Sequence, residues 1–288
     1  MFVILRNVST VLFLFILAAM PLGIHDQQGK IVFDWNVMFS TIRQFFEGLS
    51  TGEAWTYRQG DRNPSIMEDL VSPYFTSFSY LLVSAIIVIL LSIWLGIFLS
   101  KRTRSWVDGI VGLAGIIPDF IVVLLLQLLV VFIYQSTGVK TFKVASSSAG
   151  EPAVFLPILT LVIIPLFYLV RSLGNATSDV TSEDYILMAK SKGFSKRYIN
   201  FYHVTSNVLP TLKADLHKVM SIMIGNLFIV EYLYNTRGMT TLLFLTMFRF
   251  GYQYNLVIFC LLAFMTLYFV CFFVLRLFIA ALERKVSF

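Results

Sequence analysis

The sequence contains few charged residues. Only 13% of its 288 residues are Asp, Glu, Lys or Arg, whereas 58% are apolar. The mean hydropathy of +0.81 is far above that of a soluble globular domain. Composition therefore excludes a soluble protein and indicates an integral membrane protein. Because apolar segments cross a bilayer most readily as helices, we expect an all-α, polytopic membrane protein with six transmembrane helices.

Cysteine is almost absent, and histidine is sparse. Cys260 and Cys271 are the two cysteines, and both lie in one apolar run. Eleven residues of helix rise by roughly 16 Å, which is too far for a disulfide between them. The histidines at 25, 203 and 217 do not occur at metal-ligand spacing. We therefore expect neither a disulfide framework nor a metal site in this chain.

The sequence also lacks the phosphate-binding motif G-x-x-x-x-G-K-[ST]. We expect that this chain binds no ATP or other cofactor itself and that it is not an enzyme. The net charge is +6, but the basic residues occur singly or in short clusters at the ends of apolar runs. That arrangement is typical of membrane topology and disfavours nucleic-acid binding.

Six apolar runs are candidates for membrane spans. Basic residues follow the second, fourth and sixth runs, which places these ends and both termini in the cytoplasm by the positive-inside rule. The first run could be a signal peptide, but it is long for one and no clear cleavage site follows. We expect one domain over 1–288, with an extracellular loop at 25–72, a cytoplasmic loop at 171–213 and spans at about 7–24, 74–100, 107–134, 153–170, 218–233 and 254–281.

Within the predicted extracellular loop, apolar residues recur at helical spacing, namely Met38, Ile42, Phe45, Phe46 and Leu49. The pattern predicts a short amphipathic helix. Such a helix can lie on the outer face of the membrane or pack on the helix bundle, and packing is the more frequent arrangement.

A long polar interruption runs from Thr181 to Pro210. Thr181 and Asp184 have the spacing of a capping box, which predicts the start of a helix. Gly193 can supply a left-handed residue after that helix, and Ser195 can cap a second helix that runs to Pro210. The sequence therefore predicts a helix, a tight turn crowded with basic residues, and a second helix.

The residues of this interruption resemble a known motif. The run DYILMAKSKGF, followed by His203, Asn207 and Leu209-Pro210, is similar to the EAA loop of ABC importer permeases. The similarity is to the B-type permeases for oligopeptides, dipeptides and nickel. Two other stretches resemble the same family: the hairpin WLGIFLSKRTRSWVDGIVGLAGIIPDF, and a C-terminal signature that includes Glu231.

Two positions depart from the family pattern. Leu187 stands where the wider superfamily has the glutamate of the motif, which is common in the peptide subgroup. Pro210 falls about one residue earlier than in that subgroup.

The resemblance implies a type I ABC importer permease fold and a role as the membrane-spanning permease subunit for oligopeptides or dipeptides. It implies as partners a second, C-type permease, two ATPase subunits that bind ATP and Mg²⁺, and an extracellular or periplasmic substrate-binding protein. The location would be the bacterial cytoplasmic membrane. The motif would form the coupling helix that contacts an ATPase, through Asp184, Tyr185, Ala189, Lys190, Lys192, Gly193, His203 and Pro210.

Two alternatives remain at this stage. A permease for nickel or metallophores shares the motifs, and a secondary transporter could use polar residues inside the membrane as ion sites. The candidate residues of the translocation path are Asp119, Asn226 and Glu231. Asp119 is expected near the middle of the third span, where an ionised carboxylate facing lipid costs at least ~2.5 to 3.5 kcal/mol. The resembled family usually has a small polar residue there, so the acid is a departure.

Overall fold

The computed structural model describes residues 2–27, 30–98, 109, 118–147 and 150–286. Most of these residues are helical. The helices are α1 (Phe2–Gly23), α2 (Trp35–Thr51), α3 (Ile66–Ile93), α4 (Asp119–Thr137), α5 (Phe155–Thr181), α6 (Asp184–Ser191), α7 (Lys196–Tyr198), α8 (Thr205–Tyr234), α9 (Met239–Phe250) and α10 (Tyr254–Val286).

Shorter elements connect or extend these helices. An antiparallel hairpin of β1 (Ile24–Gln27) and β2 (Lys30–Phe33) pairs Ile24 with Phe33. A 3₁₀ turn follows α2 at Glu53–Trp55, and π-helical turns continue α3 at Trp94–Phe98 and join α7 to α8 at Ile199–Val204.

Five helical stretches in the described part of the chain are long and apolar enough to cross a membrane. The predicted first span corresponds to α1, whose segment Ser9–Gly23 is a shorter apolar helix. The all-α, polytopic membrane fold is therefore confirmed. The five stretches are Ile66–Ile97, Asp119–Thr137, Phe155–Thr181, Lys196–Tyr234 and Tyr254–Val286.

The helices are longer than the apolar runs suggested. Helix α3 begins at Ile66 instead of about 74, and α5 continues eleven residues beyond the predicted end at 170. Hydropathy falls where a chain leaves the bilayer, whereas backbone hydrogen bonding continues across that boundary. The predicted hairpin between the second and third spans, with Lys101, Arg102 and Arg104, lies mostly outside the described residues.

The chain forms two compact units. The first unit comprises Met1–Phe75 and Gly238–Thr266. In it, the α2 side chain Phe45 packs edge-on against Tyr254, with ring centroids 5.5 Å apart, and against Phe15 at 5.7 Å. The Gln253 side chain donates to Arg58 O at 2.7 Å and accepts from Arg58 N at 2.6 Å. These contacts fix α2 and the loop after it against α1 and the start of α10.

The second unit comprises Thr76–Arg237 and Leu267–Phe288. Helices α5 and α8 are its centre, and their facing sides are rich in buried leucine and valine. Gly96, in the π turn after α3, packs tightly against α5, because a Cβ built there would lie 2.9 Å from the Leu173 Cβ. The close approach explains a glycine at this position.

Candidate functional site

The polar interruption folds into a compact projection between α5 and α8, which we call the knuckle (residues 182–204). Helix α5 ends at Thr181, and Glu183 then adopts an extended conformation before α6 begins at Asp184. The predicted capping box is wrong. The Thr181 hydroxyl donates to Ser178 O at 3.0 Å, because Thr181 is still the last residue of α5.

The turn at Gly193 has the predicted form. Gly193 has φ of +81°, its N–H donates to Lys190 O at 3.0 Å, and the Phe194 N–H donates to Ala189 O at 3.3 Å. This pair of bonds is a Schellman motif, which satisfies the last carbonyls of α6. Ser195 then caps α7 by accepting from the Tyr198 N–H at 3.3 Å. Both turn predictions are confirmed.

An aromatic cluster holds the second half of the knuckle in place. The Phe194 and Tyr198 rings stack with centroids 5.1 Å apart, and His203 lies 6.4 Å from Phe194 and 5.9 Å from Tyr198. Sequence reasoning selected His203 but missed its two partners. Phe194 precedes the Ser195 cap, and an apolar residue at that position often packs on the first turn of the helix that follows, which could have indicated the contact with Tyr198.

The first helix of the knuckle has one buried and one exposed face. Ile186 and Ala189 are buried, whereas Tyr185, Leu187 and Met188 are exposed. Burial and the nearby Glu183 carboxylate raise the pKa of Tyr185 above its ordinary value, so the phenol stays neutral at physiological pH.

Within the knuckle, exposed large apolar side chains lie on both sides of the turn. Met188 is 60% exposed, Leu187 49% and Phe194 45%. Lys190 and Lys192 are exposed beside them, as is Gly193. A patch of this kind outside the apolar spans favours contact with another protein.

Pro210 does not end the second helix. It is an exposed residue inside α8, which runs without a break from Thr205 to Tyr234. The expected stop at Pro210 is therefore wrong. The residues around it, Val208, Leu209 and Leu212, are buried, so packing stabilises the helix despite the missing N–H. A π turn at Ile199–Val204 precedes this segment.

Polar contacts join α5 to α8 immediately beyond the knuckle. The Asp215 carboxylate accepts from the Tyr168 hydroxyl at 3.0 Å and from the Ser172 hydroxyl in a short hydrogen bond. The Lys218 ammonium lies 4.3 Å from the centre of the Tyr168 ring. We call Tyr168, Ser172, Asp215 and Lys218 the polar clamp. Sequence reasoning missed it, because its pair on α5 and its pair on α8 are more than 40 positions apart.

A second set of contacts joins α8 to α10 at the same level. Lys213 forms a short ion pair with Glu283. His217 Nδ1 lies 2.7 Å from the Tyr268 hydroxyl, and its ring stacks on Phe272 with centroids 4.1 Å apart. Residues 213–218 of α8 therefore contact α5 through the polar clamp and α10 through Lys213 and His217.

Two of the three candidate path residues lie in the C-terminal third of α8. Glu231 is fully buried and accepts from the Ser77 hydroxyl of α3. Asn226 is 3% exposed, and its Nδ2 has no hydrogen-bond partner among the residues that the structure describes. A buried amide of this kind costs free energy unless another molecule satisfies it.

Asp119 is the first residue of α4 and follows Pro118, which has φ of −59°. Its carboxylate is half-buried at the N-terminal end of an apolar helix, where the helix dipole favours a negative charge. The predicted first half of this span, from 107 to 117, lies outside the described residues except for Gly109. The structure does not join Asp119 to Asn226 or Glu231, and its place on a translocation path stays a prediction.

Comparison with known families gives the class of the protein. Residues 88–288 match the family described as binding-protein-dependent transport system inner membrane component. The match covers most of the chain, and the chain belongs to this family. It includes the knuckle, the polar clamp and the three candidate path residues, and it confirms the resemblance found in the sequence.

Individual relatives are peptide permeases by name. The chain is 27% identical over 169 residues to the oligopeptide transport system permease protein AppB of Bacillus subtilis (strain 168), covering 55% of this chain and 53% of that protein. It is 25% identical over 182 residues to the dipeptide transport system permease protein DppB of the same strain, covering 61% and 56%. A putative peptide transport system permease protein of Brucella abortus (strain 2308) is 27% identical over 172 residues, covering 57% and 54%. The chain thus spans about half the length of the curated relatives it matches.

Proposed function

We propose that this chain is the permease subunit of an ATP-driven importer for oligopeptides or dipeptides. The observation that carries the proposal is the knuckle, a rigid projection with exposed apolar and basic residues inside the matched region of the family. The named functions of the relatives support the substrate class. The chain would form half of the translocation path, and a second permease would supply the other half.

In this proposal the knuckle faces the cytoplasm and docks on an ATPase subunit. Leu187 and Met188 would enter an apolar groove of that subunit, and Lys190 and Lys192 would lie at its rim. Two such ATPases would bind ATP and Mg²⁺, and a binding protein would deliver the peptide on the opposite side of the bacterial cytoplasmic membrane. Closure of the ATPases would move the knuckle, and α5 and α8 would move with it because the polar clamp joins them.

Crosslinking tests the position of the knuckle directly. In the purified complex, a lysine-reactive crosslinker is expected to join Lys190 or Lys192 to an ATPase subunit. Lys140 provides the control, since it follows α4 in a predicted outer loop and is expected to give no such crosslink. Crosslinks from Lys190 or Lys192 to the substrate-binding protein alone would reverse the proposed topology.

A charge-specific prediction concerns Asp119. If its carboxylate lines the path, Asp119→Asn is expected to reduce uptake of basic peptides more than uptake of acidic peptides, because the change removes a negative charge at constant shape. Competitive uptake of matched basic and acidic peptides into reconstituted vesicles measures this ratio. Asp119→Glu, which keeps the charge, serves as the control. An unchanged ratio in the asparagine variant assigns Asp119 a scaffold role.

A further inference from the structure

Helix α2 carries three distinct faces. Met38 and Phe45 are buried on the first, against the rest of the first unit. The second face is polar and includes Ser40, Arg43 and Glu47, of which the last two form an exposed ion pair at 2.7 Å. The third face is apolar and uncovered. An ordinary surface helix has only one apolar face, which packs on the core.

The uncovered face forms one narrow line along the helix. Its members are spaced i, i+4, i+7 and i+11, which are positions that an α-helix places on one side. Trp35 is 62% exposed, Phe39 58% and Phe46 50%, while Ile42 is partly exposed. We call these four residues the aromatic stripe. Three exposed large aromatics on one helix are costly in water.

The aromatic stripe borders α1, which is itself largely apolar. Phe46 stacks on Phe15 of α1, with ring centroids 5.2 Å apart. Residues Phe13, Ile16 and Met20 of the same helix are themselves exposed. Since α1 consists largely of apolar residues, this exposed side is the side that meets lipid. Phe46 meets α1 at Phe15, eight residues before that helix ends, so the stripe lies beside the last turns of α1.

We propose that α2 lies in the boundary between the acyl chains and the headgroups, on the side of the bilayer where α1 ends. The aromatic stripe would enter the lipid, and the polar face with Arg43 and Glu47 would remain in water. Tryptophan and phenylalanine favour this boundary, and amphipathic helices bind there through their apolar face.

Two further features favour lipid as the occupant. The aromatic chain continues past the helix start, where Trp35 contacts Phe33 of β2 at 4.7 Å. Ile31, in the same strand, is 83% exposed. Exposed apolar side chains thus continue from α2 into the strand that precedes it.

Collision accessibility in vesicles tests the inference. Single cysteines would replace Trp35, Phe39 and Phe46 on the stripe, with Asn36, Ser40 and Gln44 as matched controls. The native Cys260 and Cys271 would become alanine. Each full-length variant, with the subunits that copurify, would be reconstituted in phosphatidylethanolamine and phosphatidylglycerol vesicles and given a nitroxide label. Spin relaxation by oxygen, which concentrates in lipid, would be compared with relaxation by a water-soluble nickel chelate.

The inference predicts a higher ratio of oxygen to nickel accessibility at the stripe than at the controls, repeating with the helical period of about 3.6 residues. A uniformly high nickel accessibility would place α2 in water and overturn it. Low accessibility to both reagents at positions 39 and 46 would also overturn it, because another protein would then cover the stripe. No transport is measured, so the outcome is independent of the proposed function.

Discussion

Replacing Gly193 with valine is expected to lower peptide uptake by at least about tenfold, while the protein still inserts into the membrane. Gly193 has φ of +81°, and a β-branched residue resists that conformation. Strain of this kind costs on the order of 1 to 3 kcal/mol, and each 1.4 kcal/mol changes a population about tenfold. Apart from Gly193 and its two neighbours in the chain, no described residue has an atom within 4 Å of an added Cβ, so the effect arises from the backbone.

The matched control is Gly193→Asn. Asparagine tolerates the left-handed region, so this variant is expected to retain most of the uptake. Both variants would be reconstituted at equal amounts with their partner subunits, and uptake and ATP hydrolysis would be measured together. In the valine variant, uptake is expected to fall while ATP hydrolysis continues. Normal uptake with normal substrate-stimulated hydrolysis in the valine variant would show that the knuckle does not couple them.

Replacing Asp215 with alanine is expected to reduce the number of substrate molecules transported per ATP by about tenfold. The carboxylate accepts two hydrogen bonds from α5, and a hydrogen bond to a charged group contributes roughly 1.5 to 3 kcal/mol. Loss of both bonds would weaken the link between α5 and α8 next to the knuckle, while the Lys218 ammonium would still face the Tyr168 ring and the Thr160 and Tyr234 hydroxyls would still lie 2.9 Å apart. The two helices would then respond separately when the knuckle moves.

A double-mutant cycle distinguishes this role from a general loss of stability. Ser172→Ala removes one of the two donors, and its effect on coupling is expected to be much smaller when Asp215 is already alanine. Uptake per ATP hydrolysed would be normalised to the amount of assembled complex. Additive effects of the two substitutions would mean that the polar clamp does not act as a unit.

The sequence was most informative where the chemistry is local. The turn at Gly193 and the cap at Ser195 depend on residues within five positions of each other, and both were predicted correctly. The family motif around them was recognisable for the same reason. Apolar runs likewise located the spans, because hydropathy requires no knowledge of neighbouring helices.

Predictions failed where distant residues decide the outcome. The proline at 210 predicts a helix stop, but packing of Val208, Leu209 and Leu212 keeps the helix intact. The spacing of Thr181 and Asp184 predicts a helix start, whereas Thr181 is still the last residue of α5. The polar clamp could not be found from one sequence, since nothing local links Tyr168 to Asp215. The β-hairpin at 24–33 also escaped notice, because its strands are only four residues long.

The uninterrupted helical stretch from Lys196 to Tyr234 has a mechanical consequence. Its 39 residues correspond to a rod of ~58 Å, with the knuckle at one end and Glu231 near the other. If this stretch tilts by about 5° around one end, the other end moves by ~5 Å, given the helical rise per residue. Such a shift is comparable to one helical turn and would exceed the reach of the hydrogen bond between Glu231 and Ser77. If the knuckle docks on an ATPase as proposed, small rotations there would open or close the Glu231–Ser77 contact while the helical stretch stays straight.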